Sequence, residues 1–314
     1  MVWEGRWKPG LQITAMLKAA MLLLTACRFN HQAAEPEKQG TIQVMDGDGY
    51  LVTLKQPAQR IITLSPHTTE LVYAVGAGRQ IIATTRFSDY PAEALDLPTV
   101  GDVQQLDIEK IISHHPDLIV LWPSGSASRQ VDELMKTGIP IYRTHPRKLA
   151  DIPVDMEKLG QLTGHPEDGS ESAQQWRDSL EKLRQQYSAS QKIKVFYQVY
   201  DRPLYTIGGT QIIDEAIALC GGENIFNEIH ALAPILSVET VLARNPDAVI
   251  STGGMSGENG LALWKRFQML NAAKTGSLYF LDSDLISRPG PRMVQGIQLL
   301  CKDIDDARRK QSFK

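Results

Sequence analysis

Residues 108–122 read IEKIISHHPDLIVLW, and residues 238–252 read VETVLARNPDAVIST. Glu109 and Glu239, Pro116 and Pro246, and Asp117 and Asp247 fall in one register. Half of the other positions exchange one apolar residue for another. Each copy has a short polar residue, Asp107 or Ser237, two positions before the glutamate. Such residues cap helices, because their side chains accept from the unpaired N–H groups of the first turn. Ile108, Ile111 and Ile112, and then Val238, Val241 and Leu242, recur at helical spacing. Proline ends the helix, since the residue before it avoids the right-handed α region. The runs Leu118-Ile119-Val120-Leu121 and Ala248-Val249-Ile250 follow. Short apolar runs rich in β-branched residues read as inner strands of a parallel sheet. Each copy therefore predicts a helix, a tight turn and a strand. Two readings stay open on the echo alone: two similar α/β lobes, or the likeness that any two αβ units share.

Outward from the first copy, Thr41–Val44 and Tyr50–Leu54 flank Asp46-Gly47-Asp48-Gly49, a hairpin signal. Arg60–Leu64 predicts a strand, and Ser65-Pro66 starts a helix that stops at Gly76-Ala77-Gly78. Strand and helix then alternate through Gln80–Ala83 to Ile139–Tyr142, the rhythm of a parallel sheet. After residue 145 two helical stretches follow with no strand between them. Ala173, Trp176, Leu180, Leu183 and Tyr187 form one apolar stripe on an otherwise polar helix. Strands resume at Lys194–Val199, and βα units continue through Asp247–Ser251 and Ser277–Leu281. The fold class is α/β: two Rossmann-like parallel-sheet lobes joined by a single long helix. The boundaries expected are 41–145 for the first lobe, 146–190 for the connector and 191–314 for the second lobe. A chain that crosses once, along a helix, has a stiff hinge.

The 314 residues are 42% apolar and 22% charged, with a net charge of -3. No clustered basic face exists for nucleic acid. Met16-Leu17-Lys18 followed by the apolar run Ala19–Ala26 has the anatomy of an export signal and is too short to span a bilayer. Residues 1–15, with Trp3, Trp7 and Pro9, read as an over-extended start before Met16. Leu24-Thr25-Ala26-Cys27 resembles a bacterial lipobox, so Cys27 is expected to carry a lipid anchor and to open the mature chain; an ordinary signal with a chance cysteine is the alternative. Residues 27–40 are polar and read as a tether. In an exported chain the remaining Cys220 and Cys301 read as one disulfide, with two buried thiols as the alternative.

Enzyme signatures are absent. Gly76-Ala77-Gly78 lacks the third glycine of a dinucleotide fingerprint and follows a helix. No phosphate loop and no GxSxG occur. Ser124–Ser128 follows a strand, where backbone amides could cradle an anion or merely cap a helix. Seven histidines include no pair at metal-ligand spacing, and His67 alone sits at a strand end like a site residue. No metal, no cofactor and no catalysis are expected.

The stretches TLSPHTTELVYAVG, FSDYP, PDLIVLW with SRQVDEL after it, CGGENIF, and SRPGPR before a late cysteine resemble the periplasmic cobalamin-binding proteins of ABC importers. The likeness spans about residues 58–302 and implies the class III substrate-binding fold. It implies capture of a corrinoid in the cleft between lobes and delivery to a permease–ATPase complex by a monomeric protein. Haem or a ferric siderophore is the alternative ligand. Phe87, Trp122 and Tyr205 match aromatic positions around the corrin ring, and Asp284 with Arg288 a polar pair facing it. Glu109 and Glu239 match two glutamates, one per lobe, that dock on permease arginines. Cys220 and Cys301 match the family's disulfide. Val103 and Ala233 stand where close relatives have tryptophans. That loss removes about 2–4 kcal/mol of burial and implies weaker binding.

Overall fold

Both copies of the opening stretch fold as read, in a computed structural model that describes residues 1–2, 40–102, 104–125, 128–187, 189–253 and 260–312. The export signal, Cys27, the tether up to residue 39, and Val103 lie outside the described residues. A hairpin of β1 (Ile42–Met45) and β2 (Leu51–Leu54) opens the fold. The first lobe carries β3 (Ile61–Thr63), α1 (Pro66–Ala74), β4 (Ile81–Ala83), α2 (Ile108–Ser113), β5 (Leu118–Leu121), α3 (Ser128–Met135) and β6 (Ile141–Arg143). Its four strands are parallel in the order β4-β3-β5-β6.

The second lobe carries β7 (Ile193–Asp201), β8 (Leu204–Thr206), α6 (Ile212–Leu219), β9 (Gly222–Asn224), α7 (Val238–Arg244), β10 (Ala248–Ser251), α8 (Asn271–Thr275), β11 (Leu278–Phe280), α9 (Ser283–Ile286) and α10 (Met293–Ser312). Its sheet runs β11-β10-β7-β8, with β9 also on β7 and β8 antiparallel.

The apolar strands are buried on both faces, as their unbroken apolar runs require. Ile61, Leu118 and Val120 face one core cluster, while Ile62, Ile119 and Leu121 face another. In the second lobe Val195, Tyr197 and Ile250 face the first cluster, while Phe196 and Val249 face a third. One cluster thus runs through both lobes. The connector fills the middle of it.

That connector is two helices, α4 (Asp151–Thr163) and α5 (Pro166–Tyr187); the second is the long one, about 33 Å at 1.5 Å per residue. Ala173, Trp176, Leu180 and Leu183 of α5 are buried, and Tyr187 packs at the edge. The helices cross closely: a Cβ on Gly160 would lie 3.0 Å from the Cα of Gly169. Ser172 Oγ donates to Ala74 O at 2.6 Å, tying α5 to the first lobe.

The caps read from sequence are in place. Asp107 accepts from Lys110 N at 2.9 Å, Ser237 from Thr240 N at 3.3 Å, and Ser65 forms a capping box with Thr68. One residue departs from its pattern. Ile111 is buried, but Ile112 is 44% exposed, because the six-residue α2 turns a single face to the core. Of the two readings of the cysteines, the disulfide forms: Cys220 and Cys301 are bonded with their Cα atoms 4.6 Å apart, both fully buried.

Candidate functional site

In an open parallel sheet, a ligand crevice lies past the C-terminal strand ends where the strand order reverses. In the first lobe that point is between β3 and β5. Past β3 comes Ser65-Pro66-His67, and past β5 comes Trp122. The half-buried Trp122 ring meets His67 edge-on, with centroids 5.1 Å apart. His67 is 2% exposed, its Nδ1 3.2 Å from Ser65 Oγ and its Nε2 3.3 Å from Thr144 Oγ1. Burial, with the charge of Arg288 second, lowers its pKa to about 3. A neutral imidazole between two hydroxyls is a brace for Trp122. Sequence position alone had made it look like a site residue.

The second lobe answers from the end of β11. Asp284 and Arg288 form the expected pair, at 2.9 Å. Arg288 is also bound across the cleft. Its Nη1 donates to Asp89 Oδ1 at 2.8 Å and to Glu70 Oε1 at 3.2 Å. Arg292 doubles the link, with Nε to Glu70 Oε2 at 2.9 Å and Nη2 to Oε1 at 2.6 Å, and it lies 4.0 Å over the Tyr90 ring. The Glu70 side chain is 2% exposed. Burial opposes the charge on Arg288, but the bond to Asp89 and the fields of Asp284 and Asp89 outweigh it and raise its pKa. The bond from Arg288 in turn lowers the pKa of Asp89.

Arg288 therefore serves an ion cluster of three carboxylates and two guanidinium groups that joins the lobes. Glu70, Asp89 and Arg292 escaped the sequence reading. The faint signal for Glu70 was an acid on a helix whose neighbours are apolar or hydroxyl-bearing.

Phe87 is 73% exposed and held at φ 66, a left-handed conformation that costs an aromatic residue about 1–3 kcal/mol. Tyr205 is half-buried on β8 and bridged to Ile235, two residues from the exposed Ala233. A cavity of about 110 Å³ lies between the lobes. Trp122, His145 and Arg147 line it from one side, and Leu232, Ile286 and Pro289 from the other. Phe87, Tyr205, Asp284 and Arg288 are not among its walls, although Ile286, Ser287 and Pro289 between the last two are.

His145 belongs to a chain: its Nε2 is 2.9 Å from Ser124 Oγ, and its Nδ1 2.6 Å from Asp48 Oδ1 in the hairpin turn. That turn is pressed onto the end of β6, where a Cβ on Gly47 would lie 2.7 Å from His145 N.

Glu109 and Glu239 are exposed in the first turns of α2 and α7, at equivalent places in the two lobes. The Glu239 carboxyl is held below its ordinary pKa by its own backbone N–H and by Ser237.

The profile of the periplasmic binding protein family matches residues 61–285. The chain is similar to the vitamin B12-binding protein of Vibrio parahaemolyticus, 34% identical over 83% of this chain and 94% of that one. It is likewise similar to the vitamin B12-binding protein of Vibrio campbellii, 37% identical over 81% and 92%. Among solved structures, the periplasmic vitamin B12 binding protein of Vibrio cholerae matches with a TM-score of 0.75 and 34% identity, over 80% of this chain and 98% of that one. A periplasmic heme-binding protein from Roseiflexus matches with a TM-score of 0.68 at 24% identity, over 80% and 99%, a likeness of fold alone.

Proposed function

The chain belongs to the periplasmic binding protein family, whose members serve transport and are not enzymes, and we propose that its cleft captures a cobalamin-class corrinoid for an ABC importer. The observation that carries this reading is the meeting of two strand-end surfaces: Trp122 with its His67 brace on one lobe, and the Asp284–Arg288 segment on the other. The names of relatives that cover most of the chain support the ligand class. Phe87 and Tyr205 supply further aromatic faces, and the strained backbone of Phe87 keeps its ring in solvent where a ring system can stack on it. Because Arg288 is engaged with three carboxylates, the half-exposed Asp284 is the partner for ligand amide N–H groups, and Arg288 positions it.

The lobes and connector at 41–145, 146–190 and 191–314 act as one monomeric receptor in the periplasm. Glu109 and Glu239 dock on permease arginines; changing either to Ala is to lower transport and leave ligand affinity unchanged, and a fall in affinity refutes docking. Cys27 carries the lipid anchor, on the strength of LTAC alone; a mature N-terminus elsewhere, read by mass spectrometry, removes that assignment.

The deciding experiment titrates purified protein with cobalamin, cobinamide and haemin. Trp122 stands at the cleft while Trp176 and Trp264 are buried away from solvent, so the part of the quenching that is lost in a Trp122 variant reports on the cleft. Trp122→Ala is expected to remove most of the quenching and to weaken corrinoid binding by about 1–3 kcal/mol. Haemin binding without corrinoid binding at tens of micromolar replaces the corrinoid with the haem alternative.

A further inference from the structure

Arg147 stands where the connector begins and lines the cavity between the lobes. The other hydrogen-bonding side chains there are largely engaged. Ser124 and His145 belong to the chain that ends on Asp48. Thr210 Oγ1 donates to His230 O at 2.9 Å, and Gln211 Oε1 accepts from Ile213 N at 2.8 Å as the cap of α6. Ser287 offers a neutral hydroxyl.

On its other flank, Arg147 borders a second cavity where four aspartates, Asp46, Asp48, Asp151 and Asp155, stand with Lys158, and Asp46 is paired with Arg143. The other three are engaged too. Asp48 is bonded to His145, and Asp155 accepts from Tyr142 Oη at 2.6 Å. Asp151 accepts the backbone N–H groups of Arg147 and Lys148 at 2.8 and 2.9 Å. The last contacts fix where the Arg147 side chain leaves the backbone. Its guanidinium has no hydrogen-bond or ion-pair partner among the described residues, whereas Arg143, Arg288 and Arg292 are each bound to carboxylates.

An unengaged guanidinium at a ligand cleft is a ready fork for two oxygens of an anion. The cavity beside it, about 110 Å³, falls below the roughly 300–1,000 Å³ of pockets that enclose a whole ligand. It suits an arm of a ligand whose ring system lies on the aromatic faces outside. We infer that Arg147 reads an oxyanion on that arm, the phosphodiester of a corrinoid's nucleotide loop. The inference rests on the corrinoid reading above and adds to it the part of the ligand that this chain distinguishes. Cobalamin carries the phosphodiester, cobinamide lacks it, and haemin offers carboxylates instead.

The test titrates wild type, Arg147→Ala and Arg147→Lys with all three ligands, by tryptophan quenching and calorimetry. Arg147 is exposed, so the variants are expected to fold as the wild type does. Wild type is to prefer cobalamin over cobinamide by about tenfold, the scale of one charge-assisted bond. Arg147→Ala is to abolish that preference by weakening cobalamin alone, and Arg147→Lys is to restore part of it. Equal weakening of both corrinoids, or no change in either, overturns the inference while leaving the corrinoid reading intact. Wild-type protein that binds neither corrinoid overturns the parent reading. If it then binds haemin through Arg147, the anion is a carboxylate and the phosphodiester assignment falls with the parent.

Discussion

The helix–turn–strand unit of the first lobe and its counterpart in the second repeat a backbone device, and they differ in what surrounds it. Asp117 N donates to Arg60 O at 2.9 Å, and Asp247 N to Lys194 O at 2.8 Å, so each aspartate hooks the start of the neighbouring central strand, just before β3 in one lobe and at the second residue of β7 in the other. Their carboxylates complete the hook. Asp117 accepts from Gln59 N and Arg60 N at 2.8 and 2.9 Å. Asp247 accepts from Lys194 N at 2.9 Å and, in place of a second backbone group, from Asn271 Nδ2 at 3.1 Å.

The residue before each proline is left-handed, His115 at φ 47 and Asn245 at φ 46. Pro-Asp recurs because the two residues together stop a helix and clip the next strand to its neighbour. The glutamate takes no part in the clip, and its carboxylate is exposed in both lobes. The echo is therefore a folding device in two residues of three.

The largest expected difference between the lobes comes from the disulfide, which only the second contains. Cys220 and Cys301 are 81 residues apart, and opening a loop of that length removes about 4 kcal/mol. Replacing both by Ser should lower the melting temperature and speed hydrogen exchange first in α6 and α10. Equal loss of protection in the first lobe's β3 and β5 would mean that the lobes unfold as one unit through their shared core.

Next in size is the cluster that spans the lobes. Glu70→Gln leaves Arg292 without its main carboxylate partner and should cost about 3 kcal/mol, the scale for breaking a mostly buried pair. Denaturant unfolding would measure it. A cost near zero would show the cluster to be solvated.

The two hooks then separate. Asp117→Ala strands two backbone N–H groups and should cost about 1–2 kcal/mol. Asp247→Ala strands one and frees an amide that can turn to water, so its cost should be smaller. The reverse order would mean that the Asn271 contact holds the strand more tightly than a second backbone group does. Smallest is the left-handed residue. Asn tolerates that conformation and His less so. His115→Asn should stabilise by about 0.5 kcal/mol; Asn245→His should destabilise by more than that, because Asn245 Oδ1 also accepts from Asn271 N at 2.8 Å, and thermal unfolding measures both.

Much of this architecture was legible in the sequence, because helix caps, strand runs and proline breaks act within a few residues. The buried stripe on α5 was legible for the same reason. The cleft was legible less fully. Trp122 and the Asp284–Arg288 pair were found by resemblance to a family, and His67 was noticed for its place at a strand end without its neutral, bracing role.

By itself the sequence determined the two parallel-sheet lobes, the helical connector and the proline breaks, and its motifs carried the resemblance to a family. The lobes, connector and breaks follow from periodicity and local stereochemistry, which are written along the chain. The tertiary structure alone decided which charges are engaged. Arg288 meets Glu70 from 218 residues away, and His145 meets Asp48 from 97. It likewise decided that Arg147 is left open at the cleft. No spacing rule encodes such pairs. Arg288 meets Glu70 because two lobes, each folded on local instructions, are packed on one core that brings their strand ends face to face, and His145 meets Asp48 because the hairpin turn is pressed onto the end of β6 within the first lobe.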